Sequence, residues 1–332
     1  MQVSMQQPLS EQWMEEPVVG SEPFVRAVNP TFRDFLPANE ARRMGNLMKR
    51  ALVTALKVLA DTGIEHPDAI ITGTSLGCME STEKFLGALV ENGEQTLSPT
   101  FFMQSTHNTV GSALGIHTKS HGYNTTYSHG TMSFEMALQD CLMQMQLGKI
   151  TTALVGGHDE MMDSYFDLLR KAGHVGLEGM VPCGEVAVSM MVSTNDSADR
   201  LCEIAGMCIF NSQSADDIKV RIESMLSEAS MTAADISAVM TGVNGNAAND
   251  SFYTAMVETA IPGVPHLRYK HLFGENFTAS AFGVYAAAHC LKRGYVPPFM
   301  YCGDRPLTME APQGILLCNH AADGETSLII LK

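Results

Sequence analysis

The chain has 332 residues, 45% hydrophobic and 17% charged, enough to bury a large core organised as one big domain or two fused halves. Acidic residues outnumber basic ones 36 to 21, a formal net charge of −15 that repels nucleic-acid phosphate and anionic membrane. No apolar run approaches the ~18 residues a membrane span needs, and "MQVSMQQPLSEQW" lacks the basic-then-apolar order of a secretion signal, so a cytoplasmic location is expected.

An opening strand is hard to find; "EPVVG" and "PFVRAV" are poor candidates. "NEARRMGNLMKRALVTALKVLADTG" (39–63) starts on an Asn cap, carries apolar residues at helical spacing and stops at Gly63, predicting a helix. Arg42, Arg43, Lys49 and Arg50 form its nearest approach to a basic patch, although a plain solvated face reads the same way. "DAIITGTSLG" predicts a buried strand, "MESTEKFLGALVENG" a helix, and "SPTFFMQSTHNTVGSALGIHTKSHG" a loop entering a small-residue helix. "YNTTYS" has strand character, and residues 131–147 place Phe134, Leu138, Cys141, Leu142 and Met145 on one helical face.

"ITTALVGG", "VAVSMMVST", "EIAGMCIF", "ISAVMTGV" and "GILLCN…SLIILK" supply further strands, with helices at 215–229, 249–260 and 278–292 between them. Strands that are near-continuously apolar and alternate with helices predict a parallel or mixed sheet covered on both faces. Helices 131–147 and 278–292 are each very apolar and followed by a basic residue, a glycine and a strand. That faint duplication predicts an α/β body layered α-β-α-β-α, with halves at 1–195 and 196–332. The eight cysteines lack a C-x-x-C pair and fit a reduced core, and His117 and His121 at i, i+4 have no third ligand at metal spacing. No metal is expected.

Five blocks in order resemble the β-ketoacyl-acyl-carrier-protein synthases of the thiolase superfamily. "SPTFFMQSTHN" is similar to S-P-F-x-x-P/Q-S-x-x-N, and "GYNTTYSHGTMSFEMALQDCLMQMQLGKITTALVGGHDE" to the G-P…T-A-C-x-S-G…G-G-x-E block. "PCGEVAVSMMVS", "VNGNAANDSFYTAMVETAI" and "YKHLFGENFTASAFGVYAAAHCL" resemble the glycine-rich strand, the G-T-x-x-x-x-N-D segment and the K-x-x-x-G-H segment. The resemblance implies a thiolase-like five-layered fold of two similar halves. It also implies a cysteine nucleophile at a helix N-terminus, assisted by two histidines.

Carried over one at a time, those positions are empty of that chemistry. Gly122 and Gly148 match with no gap between them, which puts the cysteine position at Thr131, with Ser133 at the motif's serine and Phe134 at its glycine. The first histidine position falls at Gly242, eight residues before Asp250, and the second at Glu275 after Gly274. Lys270 alone is retained, no R-D-G-F segment follows "GGHDE", and "CNHAADGET" keeps little of the usual glycine run. A threonine hydroxyl has no accessible anion near pH 7, so no catalytic residue is expected from this set.

The resemblance therefore implies a subunit of the chain-length-factor type, without cofactor, pairing with an active ketosynthase or with itself and served by an acyl carrier protein. Tyr123 to Ser128 would lie at the dimer seam, Thr131, Ser133, Phe134 and Asn108 would border the substrate, and the basic patch would meet the carrier. Two other readings stay open. One is an acyltransferase or acyl hydrolase using Ser128 or Thr131 with His129, His107 or His320 as base; the other is a non-enzymatic acyl or carrier-protein binding module.

Overall fold

The computed structural model describes residues 1–4, 11–17, 22–211, 214–272, 274–303 and 309–332. The first half of the chain runs β1 (Gln2–Ser4), α1 (Asn46–Thr62), β2 (Ala69–Gly73), α2 (Met79–Asn92), α3 (Pro99–Gln104), α4 (Thr109–Thr118), β3 (Tyr123–Tyr127), α5 (Ser133–Gln146), β4 (Thr152–Asp159), α6 (Asp163–Lys171) and β5 (Val186–Ser193). The second runs β6 (Ile204–Asn211), α7 (Ala215–Glu228), β7 (Ala238–Thr241), α8 (Ala247–Ala260), β8 (His266–Arg268), α9 (Ala279–Arg293), β9 (Ile315–His320) and β10 (Glu325–Leu331).

Each half builds a five-stranded mixed sheet, in the orders β1-β5-β4-β2-β3 and β6-β10-β9-β7-β8. Counted by first appearance within its half, each sheet reads first, fifth, fourth, second, third. The directions repeat too: β4, β2 and β3 are parallel, as are β9, β7 and β8, while β5 and β10 run antiparallel to both neighbours. The duplication expected from the two apolar helices is thus a repeat of topology.

Strand pleating divides the side chains between layers. Ala69 and Ile71 of β2 point to the central core with Val155, Met240, Leu317 and Ile329, while Ile70 and Leu154 point outward to α1 and α4. Val239, Leu316 and Leu328 face α7 and α8 on the far side. Between the sheets lie α5 and α9, and eleven of the fifteen residues of α9 are buried. A helix apolar on every face is stable only inside such a layer, and each buried Val, Leu, Ile or Phe stabilises by about 1.5–3 kcal/mol. The result is the five-layered fold that the sequence implies.

Three local expectations change. The opening strand is β1, a three-residue antiparallel edge on β5; Phe24–Val25 only pairs parallel with Cys183–Gly184, and residues 18–20 of "EPVVG" lie outside the described residues. The helix expected over 39–63 is interrupted: Ala38–Ala41 makes one turn, and α1 begins after Gly45, so Asn39 caps nothing. The basic patch loses Arg50, which is buried and donates to Glu185 Oε2 (2.8 Å), Asn29 Oδ1 (2.8 Å) and the Ala27 carbonyl (3.0 Å). Its guanidinium is an internal tie between α1 and the start of β5, not a docking charge.

Candidate functional site

The C-terminal ends of β2, β3, β7, β8 and β9 gather the matched positions, the usual place for a site in an open α/β sheet. After β3 the chain turns through Gly130 (φ 51°) into one 3-10 turn, Gly130–Met132, and then α5. Ser133 closes this turn: its Oγ donates to the Gly130 carbonyl (2.7 Å) and accepts from the His129 N–H (2.8 Å). Fully buried and so engaged, Ser133 has no free hydroxyl for a ligand. Thr131 is half-buried, and its carbonyl accepts from Asn319 Nδ2 (3.2 Å) at the end of β9.

Asn319 also donates to Glu135 Oε1 (2.7 Å), which accepts a longer bond from Ser327 (3.3 Å). Glu135 is fully buried between α5 and the second sheet, and burial pushes its carboxyl above the usual range. A charged residue type in the first turn of a helix gave no signal that it lies inside.

Gly242 follows β7, and a Cβ there would stand 2.8 Å from Tyr253 Oη and 3.1 and 3.2 Å from Lys270 Cε and Nζ. Tyr253, wholly buried on α8, accepts from the His320 N–H (2.8 Å). Lys270 Nζ reaches both oxygens of Glu275 at 2.8 Å, and Asn244 Nδ2 reaches Glu275 Oε2 at 2.7 Å. The Asn244 orientation is fixed because its Oδ1 accepts from the Asn246 N–H (3.1 Å). Asp250 holds that loop by accepting from the N–H groups of Asn244 (3.0 Å) and Gly245 (2.9 Å). Contacts therefore run from Thr131 through Asn319, His320 and Tyr253 to Gly242, Lys270 and Glu275.

The family model described as "Beta-ketoacyl synthase, N-terminal domain" matches residues 11–240. The chain belongs to the β-ketoacyl synthase family. No curated protein sequence matches it. Among solved structures, a β-ketoacyl synthase from Burkholderia phymatum is 17% identical over 99% of this chain and 91% of that one, at TM-score 0.76. The ishigamide ketosynthase/chain length factor is also 17% identical, over 99% and 98%, at TM-score 0.79. A ketosynthase in complex with its chain length factor from Xenorhabdus doucetiae is 14% identical over 95% and 89%, at TM-score 0.71. At such identities these likenesses establish the fold.

Within this ketosynthase-like chain, Phe134 is fully buried, 3.2 Å from where a Gly157 side chain would begin. Its ring is packed core. Asn108 is exposed, and its side chain donates to Ser112 Oγ (3.3 Å), apart from the network. Ser128 Oγ and His107 Nε2 both meet the Ser75 carbonyl, at 3.5 and 3.1 Å, rather than each other. His129 pairs with Glu325 (2.6 Å), and His320 bonds Thr326 (2.8 Å) and stacks on Phe252. Among the described residues no histidine hydrogen-bonds the hydroxyl of Ser128 or Thr131. Two clefts of about 600 and 540 Å³ open at the N-terminal ends of the strands and include none of Thr131, Gly242, Lys270 or Glu275. Sequence reasoning missed Tyr253, Asn244, Asn319 and Glu135; only the position of Asn244 in "VNGN", a turn-forming run, pointed to a structured loop.

Proposed function

We propose that this chain is a non-catalytic ketosynthase-like subunit of the chain-length-factor type. It pairs with an active ketosynthase, served by an acyl carrier protein, in fatty acid, polyketide or aryl-polyene-like biosynthesis. The observation that carries this reading is the Gly242 environment: the room a histidine would need is filled by Tyr253 Oη and Lys270. The other two positions agree, since Thr131 lacks a base and Glu275 places a carboxylate where an enolate would form. Thr131 stands at the nucleophile's position without its role, and no cofactor is needed for the pairing.

Pairing is supported by β3. Among the described residues nothing pairs with its outer edge, and Tyr123, its first residue, is 38% exposed, although parallel strands are ordinarily covered. Eight of the twelve exposed large apolar side chains among the described residues fall between Leu86 and Leu147. Of these, Met143 and Leu147 belong to or directly follow α5, which packs on β3. Two of the similar structures are a ketosynthase/chain length factor and a ketosynthase in complex with its chain length factor. The repeated topology supports a division of the chain at 195/196. No helix among the described residues is long and apolar enough to cross a membrane, which suits work in the cytoplasm.

The test is an assay of malonyl-carrier-protein decarboxylation and condensation, for this chain alone and mixed with a ketosynthase that retains the Cys-His-His set. Product is expected only from the mixture, with the two chains co-eluting. Thr131→Cys, assayed alone, stays inactive. A carrier-derived acyl group found by mass on Ser128 or Thr131, and lost in the alanine variant, would overturn the proposal.

A further inference from the structure

We infer that Lys270 and Asn244 form a carboxylate-binding cradle whose ligand is the chain's own Glu275, so that the site is closed to anionic acyl units. Three hydrogen bonds from two side chains converge on one carboxylate: two from Lys270 Nζ at 2.8 Å and one from Asn244 Nδ2 at 2.7 Å. The cradle is built independently of its occupant. Asn244 is oriented by Asn246, and its loop is pinned by Asp250. Lys270 is 94% buried and lies in the space left by the missing side chain of Gly242.

The occupant is equally fixed. The Glu275 N–H donates to the Pro182 carbonyl (2.7 Å), and its carbonyl accepts from the Gly184 N–H (3.0 Å), clipping it to the strand that leads into β5. Gly274 before it takes φ 98°, with backbone atoms of Gly184 2.7–2.8 Å from any Cβ it might carry. Glu275 therefore cannot withdraw by a simple rotation of its backbone, and the side chain sits with 16% exposure at the mouth of the cradle.

A buried ammonium deprived of its carboxylate is strongly destabilising, whereas an external carboxylate of similar size restores the lost contacts. Malonate, formate and acetate have the charge and the planar oxygen pair that Glu275 supplies. The cradle is therefore specific for small carboxylates, the group that an acidic extender unit carries, and Glu275 excludes them by occupying it. This inference concerns the same site as the non-catalytic reading, but its test reads anion binding rather than condensation, so either can fail alone.

The test is thermal unfolding of the full chain in sodium chloride, acetate or malonate at equal ionic strength. Glu275→Ala is expected to melt below the wild type and to regain about 2–4 °C in acetate or malonate over chloride, as expected of a ligand that binds only the folded state. Wild type shows no carboxylate-specific gain. Lys270→Met/Glu275→Ala loses the gain, and Glu275→Gln, whose amide still fills the cradle, shows none. If Glu275→Ala is insoluble, its soluble yield on refolding in malonate against chloride gives the same readout. Equal carboxylate effects on wild type, Glu275→Ala and the double variant overturn the inference.

Discussion

Glu160 directly follows β4 and is only 3% exposed. Burial pushes its carboxyl to about 7, the nearby Glu185 and Glu80 carboxylates add to the rise, and the Glu80 N–H at 2.9 Å opposes it. Between the ordinary value of 4.5 and about 7, folded Glu160 keeps a proton that the unfolded chain has released. Its contribution is therefore full below pH 4.5 and is lost as pH rises through 7, worth up to about 3 kcal/mol. Glu160→Gln cannot titrate, so its advantage over wild type in urea unfolding grows from pH 5 to 7.5 and then levels. His158, His271 and His289, each lowered to about 4 by burial, slope the other way, so the difference between variants carries the sign. Residue environments of this kind were not legible in the sequence. Arg50 read as a surface charge because its buried partner, Glu185, is 135 positions away.

The strand–helix junctions are where local order and tertiary packing meet. Gly73, last residue of β2, has the Ser133 carbonyl oxygen 2.4 Å and the Phe134 nitrogen 2.6 Å from any Cβ placed on it. Those are backbone atoms of α5 and cannot rotate away. Gly73→Ala therefore forces β2 and α5 apart and is expected to cost about 1–3 kcal/mol of stability, read as a lower urea midpoint at unchanged slope. Most elements were legible in the sequence, because apolar runs and the helix stops at Gly63 and Gly294 are local signals. β1 was not: three residues on an antiparallel edge carry no run to read. The break before α1 was missed because residues 42–45 keep a helical apolar spacing while Gly45 resets the start.

At the scale of the molecule, Tyr123 on the edge strand β3 and the exposed side chains of the adjoining α5 predict a pairing surface. Met143 and Leu147, on and just beyond α5, are 50% and 64% exposed, and α5 packs along β3. Met143→Glu/Leu147→Glu is expected to weaken association with the proposed ketosynthase partner by tenfold or more, about 1.4 kcal/mol, in light scattering of mixed chains. The far-ultraviolet circular dichroism of the variant stays unchanged, since neither side chain is core. Unimpaired pairing would move the interface elsewhere. The motif order made the fold legible, but a sequence carries no distances, so the filling of the Gly242 space by Tyr253 emerges only in three dimensions.

The central pair of helices also sets a timetable for synthesis. The inner face of the first sheet, with Val155, Val186 and Val188, packs in one continuous core with Leu317, Ile329 and Leu331. β5 is complete at Ser193, but the last strand of that core ends at Leu331. At ~5–20 residues per second, a ribosome leaves the half-built layer incompletely covered for about 7–30 s. During that interval α5 covers only part of the sheet's inner face, and the part that α9 packs on in the finished chain stays open, so yield in cells is expected to fall when chaperones are limiting.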